Sequence, residues 1–159
     1  MKKYWLFLLI VLLVGCSGAE KDAPLFTKEQ AVPFEIVKYE EKIAPVYEQL
    51  VPHIAYAETA NQLEALKGRF DIEELSMDMD QYFAVFIVTY SDSCGIAVDG
   101  VYNNGGLLSV QLLTASGKAC DEKAVPHTFV LQVEKGDYQK VQLFNGDVIK
   151  SSMDVEQTS

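Results

Sequence analysis

Short runs of apolar and β-branched residues, separated by tight turns, make up most of the chain from residue 82 onward. The run YFAVFIVTY at 82–90 predicts a central strand that is buried on both faces. Two further strands, 96–102 and 107–114, flank Asn103-Asn104-Gly105-Gly106, and this order predicts a hairpin. Within the second of these strands LSVQL alternates, which predicts one face in water and one face in the core.

The same pattern continues toward the C-terminus. Residues 127–133 and 138–144 have the composition of two strands, and they predict a second hairpin that turns through EKGD at 134–137. Asn145-Gly146 then predicts a turn into a short last strand at 147–150. The remaining residues, 151–159, are mostly polar and predict a frayed tail.

Before residue 82 the signals are a pair of short strands and a helix. Residues 34–39 and 54–57 predict the strands. Thr59 is followed three residues later by Gln62, a capping box that predicts the start of the helix. Gly68 stands where the C-terminal cap of the helix is expected. The apolar side of this helix is formed by Leu63, Leu66 and Phe70.

Helices do not alternate with the strands in this pattern, so a parallel, doubly wound sheet is disfavoured. We expect one mainly β domain of the α+β class over residues 34–150. Its predicted architecture is an antiparallel β-sandwich or an open barrel, with one short helix packed at one end.

The N-terminus carries a different kind of signal. Lys2 and Lys3 precede an unbroken apolar run at 4–14, which predicts a secretory signal rather than a spanning helix. The run closes with Gly15 and Cys16, and LVGC resembles the lipobox of bacterial lipoproteins. This resemblance implies cleavage of a signal peptide at 1–15, diacylglycerol on the Cys16 sulfur and a further acyl chain on the new amine. Two or more acyl chains make an anchor durable.

The composition after Cys16 predicts a flexible tether at 16–33, because residues 17–33 are small, polar and proline-bearing. The full chain has 13 basic and 23 acidic residues, for a formal charge of −10. Loss of Lys2 and Lys3 with the signal peptide takes the mature chain to −12. So acidic a surface repels phosphate backbones, which argues against a nucleic-acid partner.

Two cysteines, Cys94 and Cys120, remain after the lipidated one. Export places them in an oxidising compartment, so an even pair predicts a disulfide. Two free thiols are the alternative. Only His53 and His127 stand available as further soft metal ligands, and no Cys-x-x-Cys spacing exists, so no metal or cofactor is expected.

The other residues with side chains suited to catalysis or metal binding are expected to have structural roles. Ser91 and Ser93 lack the G-x-S-x-G surroundings of a hydrolase nucleophile, and no catalytic residue is predicted. The two histidines each follow a proline and are expected to be packing residues. Asp78 and Asp80, just before the central strand, are expected to be solvated capping acids rather than ligands of a shared cation.

The order of elements resembles the PrcB-like domain of secreted bacterial lipoproteins, over about residues 52–145. The resemblance rests on the capped helix ETANQLEALKGRF, the strand YFAVFIVTY, the segment SCGIAVDGVYNNGGLLSVQL, a cysteine-bearing loop, and AVPHTFVLQVEKGDYQKVQLF. The family commonly has a Thr-Gly-Gly-Tyr-like loop after its central strand, and only Gly95 carries over from it. The resemblance implies a non-enzymatic, protein-binding accessory domain.

The expected function is therefore a lipid-anchored domain on the extracytoplasmic face of a bacterial cell membrane. It would bind another exported protein and assist, stabilise or regulate a secreted protease. The candidate binding residues are Gly95 from the resemblance, with Tyr90 and Tyr102 because tyrosine often dominates interfaces. The alternative is a lipoprotein that binds a small ligand or a divalent cation without catalysis.

The anchor assignment is tested by Cys16→Ala. Without the sulfur the diacylglycerol has no attachment point, so the chain is expected to accumulate as an unlipidated precursor that keeps residues 1–15. Metabolic labelling with a radioactive fatty acid, followed by intact-mass measurement, gives the readout. Persistence of the lipid label in this variant contradicts the assignment.

Overall fold

The computed structural model describes residues 25–41, 51–115, 117 and 119–155. Within these ranges it contains a short 3₁₀ turn at Lys28–Gln30, one α-helix and eight β-strands. In chain order the helix and strands are β1 (Phe34–Glu40), β2 (His53–Ala57), α1 (Ala60–Phe70), β3 (Tyr82–Ser91), β4 (Ile96–Asn104), β5 (Leu107–Thr114), β6 (Val125–Glu134), β7 (Lys140–Asn145) and β8 (Val148–Asp154).

The strands form two four-stranded sheets that pack face to face. The first sheet has the order β1-β6-β3-β2 and is antiparallel throughout. The second sheet has the order β4-β5-β7-β8 and is mixed, because β5 and β7 run parallel. The predicted α+β sandwich is therefore confirmed, and the sheets do not close into a barrel.

Strand β3 lies inside the first sheet and is buried on both faces, as predicted. Its odd-numbered residues, including Phe83 and Val85, pack between the two sheets. Its even-numbered residues, including Ala84 and Phe86, pack under helix α1. The continuous apolar run thus reflects two separate cores, one on each side of a single strand.

Helix α1 begins as the sequence predicts, because Thr59 accepts a hydrogen bond from the Gln62 backbone and Gln62 Oε1 accepts one from the Thr59 N–H. Its predicted end at Gly68 is wrong. The helix continues to Phe70 and is capped by Asp71, which adopts the left-handed conformation with φ 53°. Aspartate tolerates this conformation better than most residues, so glycine is not required there.

The helix lies on the face of the first sheet, whereas the sequence placed it at one end of the sandwich. Leu63 and Phe70 are buried in a core that they share with β2 and the even-numbered residues of β3, and the Phe70 and Phe86 ring centroids are 4.9 Å apart. The molecule therefore has three layers in the order helix, first sheet, second sheet.

The predicted second hairpin is also wrong, because β6 belongs to the first sheet and β7 to the second. The connection between them crosses over, and it is fixed at Tyr138, whose buried ring packs 5.1 Å from that of Phe83. The Gln139 N–H then donates to the Gly106 carbonyl over 2.7 Å, which directs β7 alongside β5. Tertiary packing decides this connection, and the local turn signal does not reveal it.

The C-terminal residues predicted to be frayed are ordered as far as the structure describes them. β8 extends to Asp154 along β7, and Val155 is buried with its N–H bound to the Gln139 carbonyl. Residues 156–159 lie outside the described residues.

Residues 25–32, here called the strap, differ from the predicted flexible tether. The Phe26 ring stacks on Tyr102 at 4.5 Å and 7°, and it meets Phe144 edge-on at 5.2 Å. The Val32 N–H donates to the Val101 carbonyl over 2.8 Å. The strap therefore packs on the outer face of the second sheet. Ser109, which the alternation of β5 predicts on a wet face, is fully buried on this outer face.

The signal peptide and Cys16 lie outside the described residues, as does the start of the tether. In the described ranges the structure has no helix both long and apolar enough to cross a membrane.

The packing of α1 generates a stability prediction. Phe70→Ala removes a fully buried ring from between the helix and β3, and we expect it to lower the free energy of unfolding by about 3–5 kcal/mol. Asn61→Ala, at an exposed helix position, serves as the matched control with an expected change within about 0.5 kcal/mol. Urea unfolding followed by circular dichroism measures both. Equal losses in the two variants would place the ring outside the core.

Candidate functional site

A buried serine and a buried histidine meet at the end of the first sheet where β3 stops and β6 begins. Thr89 pairs with His127 and Ser91 pairs with Val125, so Ser91 and His127 are diagonal neighbours on the inter-sheet face. Ser91 Oγ lies 2.8 Å from His127 Nε2. Ser91 is 8% exposed and His127 is 2% exposed, so this contact is shielded from water.

Strand β1 supplies the second partner of the histidine. The Tyr39 phenol oxygen lies 3.0 Å from His127 Nδ1, and the two rings are nearly parallel at 6.0 Å. Tyr39 also packs 4.9 Å from the Phe129 ring. The Glu41 carboxylate lies 3.4 Å from the same phenol oxygen. Three strands of the first sheet are thus joined through one imidazole.

The hydrogen-bond network assigns the proton positions on His127. The Ser91 hydroxyl donates to the Asp92 carbonyl over 2.7 Å, so its proton is not directed at the imidazole. His127 Nε2 therefore donates to Ser91 Oγ, and Nδ1 accepts from the Tyr39 hydroxyl. In this arrangement the imidazole connects β1, β3 and β6 through its two ring nitrogens.

Burial favours the neutral form of the His127 imidazole. Desolvation lowers the pKa of His127 below its ordinary 6.5, and the negative charge of Glu41 opposes part of that shift. Desolvation raises the pKa of Tyr39, and the nearby Glu41 carboxylate raises it further. A neutral imidazole and a neutral phenol are the forms that this hydrogen-bond pattern requires.

The cluster adjoins a loop that is cross-linked by the predicted disulfide. Cys94 and Cys120 are joined, with their Cα atoms 5.3 Å apart. The Asp92 side chain accepts from the Cys94 N–H over 2.9 Å. The Asp121 N–H donates to Ser93 Oγ over 2.6 Å, and the Ser93 N–H donates to the Asp121 carbonyl. The loop is therefore held by backbone and side-chain bonds besides the covalent one.

The three predicted binding residues lie in three different surroundings. Gly95 is in the disulfide loop with φ 88°, a conformation that favours glycine. Tyr90 faces the helix side of β3, where it packs against the helix-side core and burial raises its pKa. Tyr102 lies under Phe26 on the outer face of the second sheet. These residues do not form one site.

The remaining candidates have structural roles. Asp78 caps the turn before β3, as predicted, by accepting from the Asp80 N–H and from the Gln81 side chain. His53 and His127 project from opposite faces of the first sheet, since His53 pairs with Val88 on the helix side. Burial lowers the pKa of His53, and the charge of Arg69 lowers it further. No site that uses both histidines is formed.

One group of potential metal ligands occurs among the described residues. Asp92, Cys94 and Cys120 place a carboxylate oxygen and two sulfurs within 4.8 Å of one another. The two sulfurs are bonded to each other, so neither is a thiolate ligand. This group therefore belongs to the cross-linked loop.

Sequence reasoning missed Tyr39 and Glu41. No motif links them to Ser91 and His127, because β1 reaches the cluster only through its register with β6. The exposure of Ile36 and Tyr39 and the edge position of β1 become known only from the fold, so the sequence carries no local signal for this contact.

Comparison with protein-family models, with curated proteins and with solved structures found no match. The resemblance to the PrcB-like domain therefore stays a prediction that rests on the residues quoted for it.

The lowered pKa of His127 makes the stability depend on pH. Below about pH 6.5 the unfolded histidine binds a proton that the folded one resists, so stability falls as pH decreases. We expect the loss of urea midpoint between pH 7.5 and pH 5.5 to be smaller in His127→Gln than in the unsubstituted protein. The pKa of His53 is lowered too, so His53→Gln should remove only the share of His53 and keep the His127 contribution, and the double variant should lose both. Identical pH dependence in His127→Gln and the unsubstituted protein would remove His127 as the cause.

Proposed function

We propose that this protein is a lipid-anchored binding domain on the extracytoplasmic face of a bacterial membrane, where it holds another exported protein. The LVGC pattern at residues 13–16 supports the anchor. The Cys94–Cys120 disulfide supports an oxidising compartment, because such bonds persist mainly outside the cytosol.

The single observation that carries the binding role is the rigid, partly apolar surface at the β1 edge. Ile36 is 42% exposed and Tyr39 is 45% exposed, on a strand that pairs on one side only, with β6, in the described part of the chain. An edge strand presents unpaired backbone donors and acceptors that an extended segment of a partner can bind. Tyrosine also contributes strongly to protein interfaces.

The hydrogen bonds around His127 support the same conclusion. They join Tyr39 to Ser91, and Ser91 continues into the disulfide loop through the Asp92 carbonyl. A surface that is already ordered loses little conformational entropy when a partner binds. The β1 edge is therefore preorganised for a partner by its hydrogen bonds to the interior of the sheet.

The resemblance to the PrcB-like domain adds a class of partner, an exported protease that the domain assists, stabilises or regulates. The formal charge of −12 after Cys16 favours a partner with a basic rim. A small-ligand or cation-binding role has less support, because Asp78 is engaged in its own turn and the cysteine sulfurs are bonded to each other.

Co-purification tests this proposal. The lipidated protein, extracted from membranes in mild detergent, is expected to carry one exported protein in stoichiometric amount. Ile36→Asp places a charge on the contact surface and should lower recovery of that protein at least about tenfold, the effect of roughly 1.4 kcal/mol. Val51→Asp is the matched control, since Val51 is 55% exposed near the opposite edge strand of the same sheet.

Two results contradict the proposal. One is the absence of any exported protein at stoichiometric yield from membranes that contain the lipidated chain. The other is an equal loss of the partner from Ile36→Asp and Val51→Asp, which would indicate a general effect of added negative charge.

A further inference from the structure

The outer face of the second sheet carries a group of exposed aliphatic side chains. Gln111 pairs with Phe144 and Phe144 pairs with Ile149, so these residues form one row across the outer face. Leu113 follows Gln111 by two residues and points to the same side. Three half-exposed residues, here called the outer patch, belong to this face and to the strap on it: Leu25, Leu113 and Ile149.

The chain from the N-terminus reaches the domain on this same face. Stacking of Phe26 on Tyr102 and its edge contact with Phe144 fix the strap there. Phe26 is the tenth residue after Cys16, so residues 17–26 connect the two positions. Fully extended they span at most about 35 Å, and a flexible chain of that length averages about 18 Å end to end.

The layer order limits how the domain sits above an anchor at Cys16. The two sheets pack about 10 Å apart, and α1 adds another layer about 10 Å behind the first sheet. With α1 toward the membrane, the two layer spacings and the outer radius of the helix (about 5 Å) would hold Phe26 at least about 25 Å from the bilayer. That distance exceeds the average span of about 18 Å and requires a largely extended chain. With the strap toward the membrane, the same residues keep close to their average span.

We propose that the outer patch lies against the lipid bilayer that holds the acyl chains of Cys16. This inference rests on the lipid anchor of the proposed function. Leu25, Leu113 and Ile149 contact the interface of lipid headgroups and acyl chains, which suits half-exposed aliphatic residues. Asp99 and Asp147 border the concavity beside Phe26. Their negative charge repels anionic headgroups, so the contact depends on the apolar side chains and is weakened by anionic lipid.

This orientation leaves the rest of the molecule accessible. Helix α1 covers the first sheet on the side away from the second sheet, so it faces away from the lipid. Strand β1 is an edge of the first sheet and stays open to a partner beside the membrane. One anchor and one apolar patch thus fix which surfaces an exported protein meets.

The test uses tryptophan as a depth probe. Trp5 is the only tryptophan of the chain, and cleavage before Cys16 removes it. Ile149→Trp places a single probe in the outer patch, and Leu113→Trp places a second one there. Ala65→Trp, at an exposed position of α1, is the matched control. Each lipidated variant is reconstituted in phosphatidylcholine vesicles whose acyl chains carry bromine atoms close to the headgroups.

The expected result is that both outer-patch probes lose most of their fluorescence and shift to the blue, whereas the Ala65→Trp probe keeps its intensity. Addition of anionic lipid should reduce the quenching of the outer-patch probes. Unfolding midpoints of the three variants, measured in detergent, show that each is folded.

Equal quenching at the outer patch and at α1, or quenching at α1 alone, overturns the orientation while leaving the anchor intact. A probe at Ile149 that shifts to the blue only when a co-purified protein is added overturns it too, because a protein then covers the patch. Tryptophan emission from the unsubstituted protein, or an unmodified Cys16, shows instead that the anchor itself is absent.

Discussion

The pairing of β3 with β6 over ten consecutive residue pairs is the constraint on which the rest of the structure depends. It creates two faces at once, with Val85 on the inter-sheet side and Phe86 on the helix side. Because side chains alternate, a slip of one residue would exchange these faces and separate Phe86 from α1. The same register brings Ser91 beside His127, so the hydrogen-bonded cluster is a consequence of the core and not an independent feature.

The strap shows a compromise between apolar and polar packing. Phe26 covers an aromatic surface, yet Ser109 Oγ and Gln111 Oε1 on the same strand face are buried without a hydrogen-bond partner in the described part of the chain. A buried oxygen without a partner costs about 1–3 kcal/mol. Ring stacking and the Val32 to Val101 hydrogen bond have to offset that cost. These contacts hold the strap on the second sheet despite that cost.

The sequence predicted those features that local chemistry decides. Periodicity located β3, the capping box located the start of α1, and Asn103 to Gly106 located the hairpin of β4 and β5. The sequence-based predictions were wrong where contacts between distant residues determine the structure. Tyr138 packs on Phe83, and the segment that was predicted to be a hairpin is a crossover between the two sheets. Phe26 stacks on Tyr102, which is more than seventy residues away in the sequence. The contact of Tyr39 with His127 is of this second kind, since it exists only through the register of β1 with β6.

The disulfide has a position that connects the two proposed surfaces. Cys94 lies in the connection from β3 to β4, and Cys120 lies in the connection from β5 to β6. Both connections pass between the first and the second sheet, so the bond joins two crossovers at one end of the sandwich. It therefore limits how far one sheet can slide or rotate against the other. Since β1 belongs to the first sheet and the outer patch to the second, the same bond would keep the proposed partner-binding edge at a fixed angle to the proposed membrane-facing side.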